Sequence, residues 1–234
     1  LIIAIDGPSG AGKSTLAKRL AKELHFIYLD TGAMYRALAL KVLREGIDLA
    51  DDARLAELVR VTEIDLREKR GELEVLLDGR DVAEEIRTPE VSQTASKVSA
   101  LRAVRARMLE LQRAMGGRGS VVAEGRDIGT VIFPAAEVKI FLDASLHERA
   151  RRRYQEIHAA GRAVNFDETL REIEERDKRD RERDLAPLCQ AEDALLIDSS
   201  SFSADEVAAM VLAEVQKKIT KIKQIGVGLH GRTG

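Results

Sequence analysis

The stretch LIIAIDGPSGAGKSTLAKRLAKEL (1–24) decides the fold. Its first six residues are β-preferring and mostly apolar and stop at a glycine turn, while from Lys13 onward the apolar positions recur at helical spacing. Between them GPSGAGKS (7–14) matches G-x-x-x-x-G-K-[ST] in the context that motif requires, a strand before it and a helix after it. The glycines let consecutive backbone N–H groups turn inward around anionic oxygens, and the following helix presents its positive dipole end to the same oxygens. Gly7, Ser9, Gly10, Ala11 and Gly12 are therefore expected to cradle nucleotide phosphates, with Lys13 between the β- and γ-phosphates and the Ser14 hydroxyl on Mg²⁺.

Four more apolar runs follow the pattern of the first: FIYLD (26–30), SVVAE (120–124), VKIFLD (138–143) and ALLID (194–198). Being apolar on both faces, they suit a buried parallel sheet. Helical periodicity fills the gaps at 32–44, in one long helix from Pro89 to about Met115, and at 146–160, 166–183 and 204–219. Several starts are marked: Thr88 precedes Pro89, and Ser145 with Glu148 and Ser203 with Glu206 have capping-box spacing. Strand alternating with helix predicts an open, doubly wound, mostly parallel α/β sheet with right-handed crossovers. Residues 62–87 contain LEVLLDGRDV and read as two short strands with Gly71 and Gly79 at turns, appended to the main sheet. Residues 150–180 read as polar helix broken at Gly161, and the glycine-rich 221–234 as a disordered or expression-derived tail beyond a single domain at 1–220.

With 44% apolar and 33% charged residues the chain has the balance of a globular protein, and its net charge of −2 gives no electrostatic reason to bind nucleic acid. No apolar run approaches the roughly 18 residues that cross a bilayer, and no leader precedes the first motif, so a cytoplasmic monomer without membrane contact is expected. The single Cys189 has no internal disulfide partner, and no His/Cys cluster has zinc spacing.

A phosphate cradle alone does not say what happens to the phosphate. A guanine-nucleotide switch needs N-K-x-D, yet the only asparagine is Asn165, followed by Phe166. An ATP-driven motor is expected to carry four apolar residues running into an acid, which VVAEG (121–125) and IFLDA (140–144) match only weakly. A kinase with a phosphorylated acceptor fits better, because two anions brought in line need cations on the acceptor side. Arg36 lies one turn beyond the second strand in DTGAMYR (30–36), and Arg126 and Asp127 follow the third in EGRDIGTVIFP (124–134), at the sheet edge where doubly wound folds bind ligands. In ERDKRDRERD (175–184), Arg176, Asp180 and Arg183 share one helix face.

GPSGAGKS, LDTGAMYRA, TASKVSALRAVR (94–105), EGRDIGTVIFP, VNFDE and EERDKRDRERDLAPL together resemble the bacterial cytidylate kinases, in order and over nearly the whole chain to about residue 216. The resemblance implies an adenylate-kinase-like core, a monophosphate-binding insert at about 31–96 and a short lid at about 149–165. It implies transfer of the ATP γ-phosphate to CMP or dCMP with Mg²⁺. Arg36 and Arg126 are then expected on the CMP phosphate, with Thr31 in the same strand-turn motif. Ser96, Arg105 and Asp127 are expected on cytosine with Arg183 near them, Arg176 and Asp180 on ribose, and Arg149 and Arg153 on ATP. Lys13, Arg126, Asp127 and Arg176 form the implied catalytic set. Most members have glycine then threonine after the loop lysine where Ser14 and Thr15 stand here, so Thr15, or Asp127 through a water, are alternatives to Ser14 on the metal.

Overall fold

The computed structural model of the chain describes residues 1–69, 71–159 and 161–230, the last ten as backbone only. Five strands form the main sheet: β1 (Ile2–Asp6), β2 (Ile27–Asp30), β6 (Val121–Gly125), β7 (Val138–Asp143) and β8 (Leu195–Asp198). Their order is β2-β6-β1-β7-β8 with every pairing parallel. Every residue of β6 is buried, as are Ile3–Asp6 of β1, which is why these runs are apolar without alternation. The register sets Asp6 beside Gly125 and Phe141, and Asp30 beside Glu124, so the carboxyl ends of the three central strands and of β2 form one ledge.

Helices cover both faces. Helices α1 (Lys13–Leu24) and α8 (Ala204–His230) pack Leu16, Leu20, Val207 and Val211 on one side. On the other, α2 (Thr31–Arg44), α3 (Asp52–Val61), α4 (Pro89–Val98) and α5 (Arg102–Gly116) bury Met34, Leu38, Leu55, Val98, Val104 and Met108. The polar pair α6 (Leu146–Ala159) and α7 (Phe166–Glu182) pack on one another. The marked starts hold: Thr88 Oγ1 accepts from Val91 N at 3.2 Å, and Ser203 and Glu206 form a reciprocal capping box.

Four sequence expectations need correction. The appended sheet has three antiparallel strands rather than two, β3 (Ile64–Lys69), β4 (Glu72–Leu77) and β5 (Arg80–Asp81). Helix α3 was passed over, although Asp51 caps it by accepting from Arg54 N and Leu55, Leu58 and Val59 give it an apolar face at helical spacing. The expected helix from Pro89 to Met115 is two helices. At the break, Ala100 N and Leu101 N bond back three residues to Lys97 O and Val98 O, the Ser99 hydroxyl donates to Ser96 O at 2.8 Å, and Leu101 turns extended. No glycine or proline marks this break; burial of Val98 and Val104, one on each side of it, holds the bend. Finally, α8 continues to His230 beyond the expected stop near 219, while 231–234 of the expected tail lie outside the described residues.

Candidate active site

Strand β1 delivers the chain into a loop that only glycine permits. Gly10 and Gly12 have φ of 79° and 94°, and a Cβ on Gly7 would stand 1.9 Å from the Leu142 carbonyl oxygen of β7. Gly12 caps α1 with no side chain, which leaves the first N–H groups of that helix open to an anion. Lys13 is buried and donates from Nζ to Pro8 O at 2.6 Å. Burial, then the nearby Arg126, hold its ammonium down to about 7, while Glu124 opposes them.

When backbone N–H groups turn into a cradle, carbonyls turn out and need donors of their own. Two arginines of α6 supply them. Arg149 donates to Ser9 O at 3.1 Å and to Ala144 O at 2.9 Å, and lies 2.5 Å from Asp177 Oδ2, both side chains being buried. Arg152 reaches Ala11 O at 3.4 Å and Ser199 O at 2.7 Å. Arg149, expected to meet ATP from a lid, is thus packed beneath the phosphate loop as a brace, and Arg152 was missed. Arg153 is half-buried and pairs with Glu156 at 2.8 Å.

Two buried carboxylates end the central strands. Asp6 accepts from Ile128 N and from Gly129 N, each at 2.7 Å. Burial pushes its carboxyl up to about 6 against the pull of those two donors. Glu124 accepts from Tyr28 Oη at 2.5 Å, and Thr31 Oγ1 donates to the Glu124 carbonyl at 2.7 Å. Burial and then Asp30 raise the Glu124 carboxyl, while Lys13, Tyr28 and the Ser14 hydroxyl oppose. The sequence reading weighed Glu124 only as a motor acid and passed over Asp6, although each is an acid ending an apolar strand just before a glycine.

Next to Lys13 the acceptor arginines converge. Asp30 caps α2 by accepting from Ala33 N at 2.7 Å and holds Arg36 at 3.2 Å. Arg126 pairs with Asp180 at 2.8 Å and donates to Gly125 O at 3.2 Å. Arg176 is half-buried, with its Nε enclosed and unpartnered; desolvation, then Arg126, lower its guanidinium to about 10, with Arg36 and Arg153 adding to the effect and Asp180 opposing. Although burial alone would raise Asp180, Arg126 and Arg176 hold it below its ordinary value.

Asp127, Arg105 and Arg183, expected at the base, gather around Ser99, which the motifs do not single out. Asp127 is paired with Arg105 and lies 3.5 Å from Arg183. Arg105 donates to Ser99 O at 3.2 Å and Arg183 to Ser99 Oγ at 3.4 Å. Ser96 Oγ is buried without a partner. Arg105 reaches back over the break to the carbonyl of Ser99. Burial raises the Asp127 carboxyl, and Arg105 and Arg183 oppose it.

The chain matches the family described as cytidylate kinase over residues 3–217. It is 55% identical over 214 residues to the cytidylate kinase of Pelotomaculum thermopropionicum, covering 91% of this chain and 95% of that one. It is 51% identical to that of Geobacter sp. strain M21, covering 94% and 95%, and 50% identical to that of Bacillus subtilis, covering 93% and 97%.

Proposed function

The chain belongs to the cytidylate kinase family, and on that premise we propose how its own residues move the γ-phosphate of ATP to CMP, giving ADP and CDP. Acceptance of dCMP is part of the same reading. One observation carries it: Arg176, half-buried with its Nε enclosed and unpartnered, lies close enough to Arg126, Arg36 and Arg153 for their charge to act on it. A guanidinium with an enclosed, unpaired N–H is stabilised by a phosphate oxygen.

ATP sits with its phosphates on the N–H groups of the loop between Gly7 and Thr15, Pro8 having none to give. Arg36 and Arg126 clamp the CMP phosphate, and Lys13 and Arg176 stabilise charge on the group in transfer. That phosphate is already anionic, so no general base is needed and catalysis rests on alignment and electrostatics. Asp180 and Arg176 contact ribose. Cytosine offers an N4 donor beside the N3 and O2 acceptors, which a carboxylate with arginine and hydroxyl donors matches. Asp127, Arg105, Arg183 and Ser96 supply that set.

Among the described residues no cluster of three or more His, Cys, Asp or Glu could hold a metal ion. That fits Mg²⁺, which is held mainly by nucleotide phosphates and one or two protein oxygens. The Ser14 hydroxyl beside Glu124 is the oxygen pair suited to it, and the ion would neutralise β- and γ-phosphate charge. The sheet at 64–81 and α4 belong to the acceptor insert, and the lid expected at about 149–165 begins beyond Arg149, which braces the phosphate loop; the lid excludes water from the phosphates. No helix among the described residues is long and apolar enough to cross a membrane, and we read the protein as a cytoplasmic monomer. The test is release of ADP with CMP, dCMP, UMP, AMP and shikimate as acceptors. CMP should lead by kcat/KM, and turnover led by any acceptor other than CMP or dCMP overturns the assignment.

A further inference from the structure

Where β1 and β6 part, the two halves of the site lose their common backbone ladder. The parallel pairing ends at Asp6 beside Gly125. From there one chain enters the phosphate loop at Gly7 and the other runs through Arg126 and Asp127 into a single wide turn at 128–132, closed by Phe133 N on Ile128 O at 2.7 Å. The opening N–H groups of such a turn have no partner within it. Those of Ile128 and Gly129 both end on Asp6, at 2.7 Å each.

We propose that Asp6 is a positioning residue that fastens the acceptor-reading loop to the start of the ATP loop. Arg126 and Asp127 are held at one end by the last ladder position, Gly125, and at the other by this carboxylate. Both oxygens of Asp6 are taken by N–H groups of the loop, so it acts through the loop rather than on substrate. Each N–H has an oxygen of its own here, Ile128 on Oδ1 and Gly129 on Oδ2. An aspartate has both, whereas asparagine has one and must turn an N–H against the other donor. Asp6 is itself held in the β1 ladder beside Gly125, so the fixed side of the anchor is the strand that leads to Gly7 and the part it holds in place is the acceptor-side loop. Lys139 covers the anchor from outside: a Cβ on Gly129 would come within 3.1 Å of its Cδ and 3.4 Å of Asp6 Oδ2.

The inference rests on the assignment of CMP as acceptor, and the experiment separates the two. KM for CMP and ATP, kcat, and the CMP/UMP ratio of kcat/KM are measured for the wild type, Asp6→Asn and Gly129→Ala. Asp6→Asn should raise KM for CMP about tenfold or more and shrink the CMP/UMP ratio, with KM for ATP changed less than about twofold. Gly129→Ala, which presses on the same anchor, should do the same more weakly, and it decides the matter where Asp6→Asn does not fold. Equal rises in both KM values, or a loss of kcat alone with the ratio kept, mark a purely structural carboxylate and overturn the proposal. A wild type inactive with CMP overturns the acceptor assignment along with it.

Discussion

Arg126 Nε lies 2.8 Å from Asp180 Oδ2, with 17% and 5% of the two side chains exposed. The arginine we propose for the CMP phosphate is therefore already neutralised by a carboxylate from α7. Asp180 thus balances Arg126 as Asp30 balances Arg36, and an arriving phosphate competes with it for Arg126.

Asp180→Asn should show that balance directly. Removing one charge of a buried pair costs about 3 kcal/mol, or roughly 6–12 °C in Tm for a domain of this size. Inorganic phosphate should then raise the Tm of the variant more than that of the wild type, because it replaces the missing anion. Thermal melts with and without phosphate check this, and equal shifts in the two proteins would count against it.

Lys13→Ala should lower kcat by about 10²–10³ while the protein stays folded. The pH dependence of stability supplies a second readout. The lysine titrates near 7 when folded and near 10.4 when unfolded, so between those values the unfolded chain binds more protons. Stability of the wild type from this group therefore rises with pH across roughly 7–10 and is lowest below 7. Urea unfolding at pH 7.5 and 9 should show a steeper rise for the wild type than for Lys13→Ala, and identical slopes would place the lysine titration elsewhere.

Ser96→Ala removes a buried hydroxyl that has no partner in the free protein. It should leave stability unchanged or slightly higher, yet raise KM for CMP about fivefold, the worth of one hydrogen bond of about 1 kcal/mol. The combination of unfolding curves and kinetics is the check. A destabilised variant with normal KM would mean that the hydroxyl serves the helix bend.

Asp127→Asn should erode the preference for CMP over UMP. The carboxylate suits the cytosine N4 donor, whereas an amide can turn its N–H toward O4 of uracil; the change in the ratio should be about 1–3 kcal/mol, or roughly 5- to 150-fold. Both kcat/KM values should also fall, because Arg105 and Arg183 lose their common counter-charge. A constant ratio with both values reduced removes Asp127 from base reading and leaves it as the partner of the two arginines.

The sequence by itself determined the phosphate loop, the five parallel strands and the polarity of the ledge they make, because each is written in contiguous residues. Glycines at 7, 10 and 12 and apolar runs without alternation have few structural readings. The cationic set Arg36, Arg126 and Arg176 was legible too, since those residues stand at strand ends or on one helix face. Only the tertiary structure decided what depends on groups far apart in the chain. The break at Ser99 has no local signal and follows from burial of the residues around it. Arg149 was expected in a lid, but the outward carbonyls of the phosphate loop claim its N–H groups. Asp6 meets Ile128 and Gly129 across more than a hundred residues. Such pairings answer the requirement that every buried donor and acceptor be satisfied, a condition set by the packed chain as a whole and invisible in any window of its sequence.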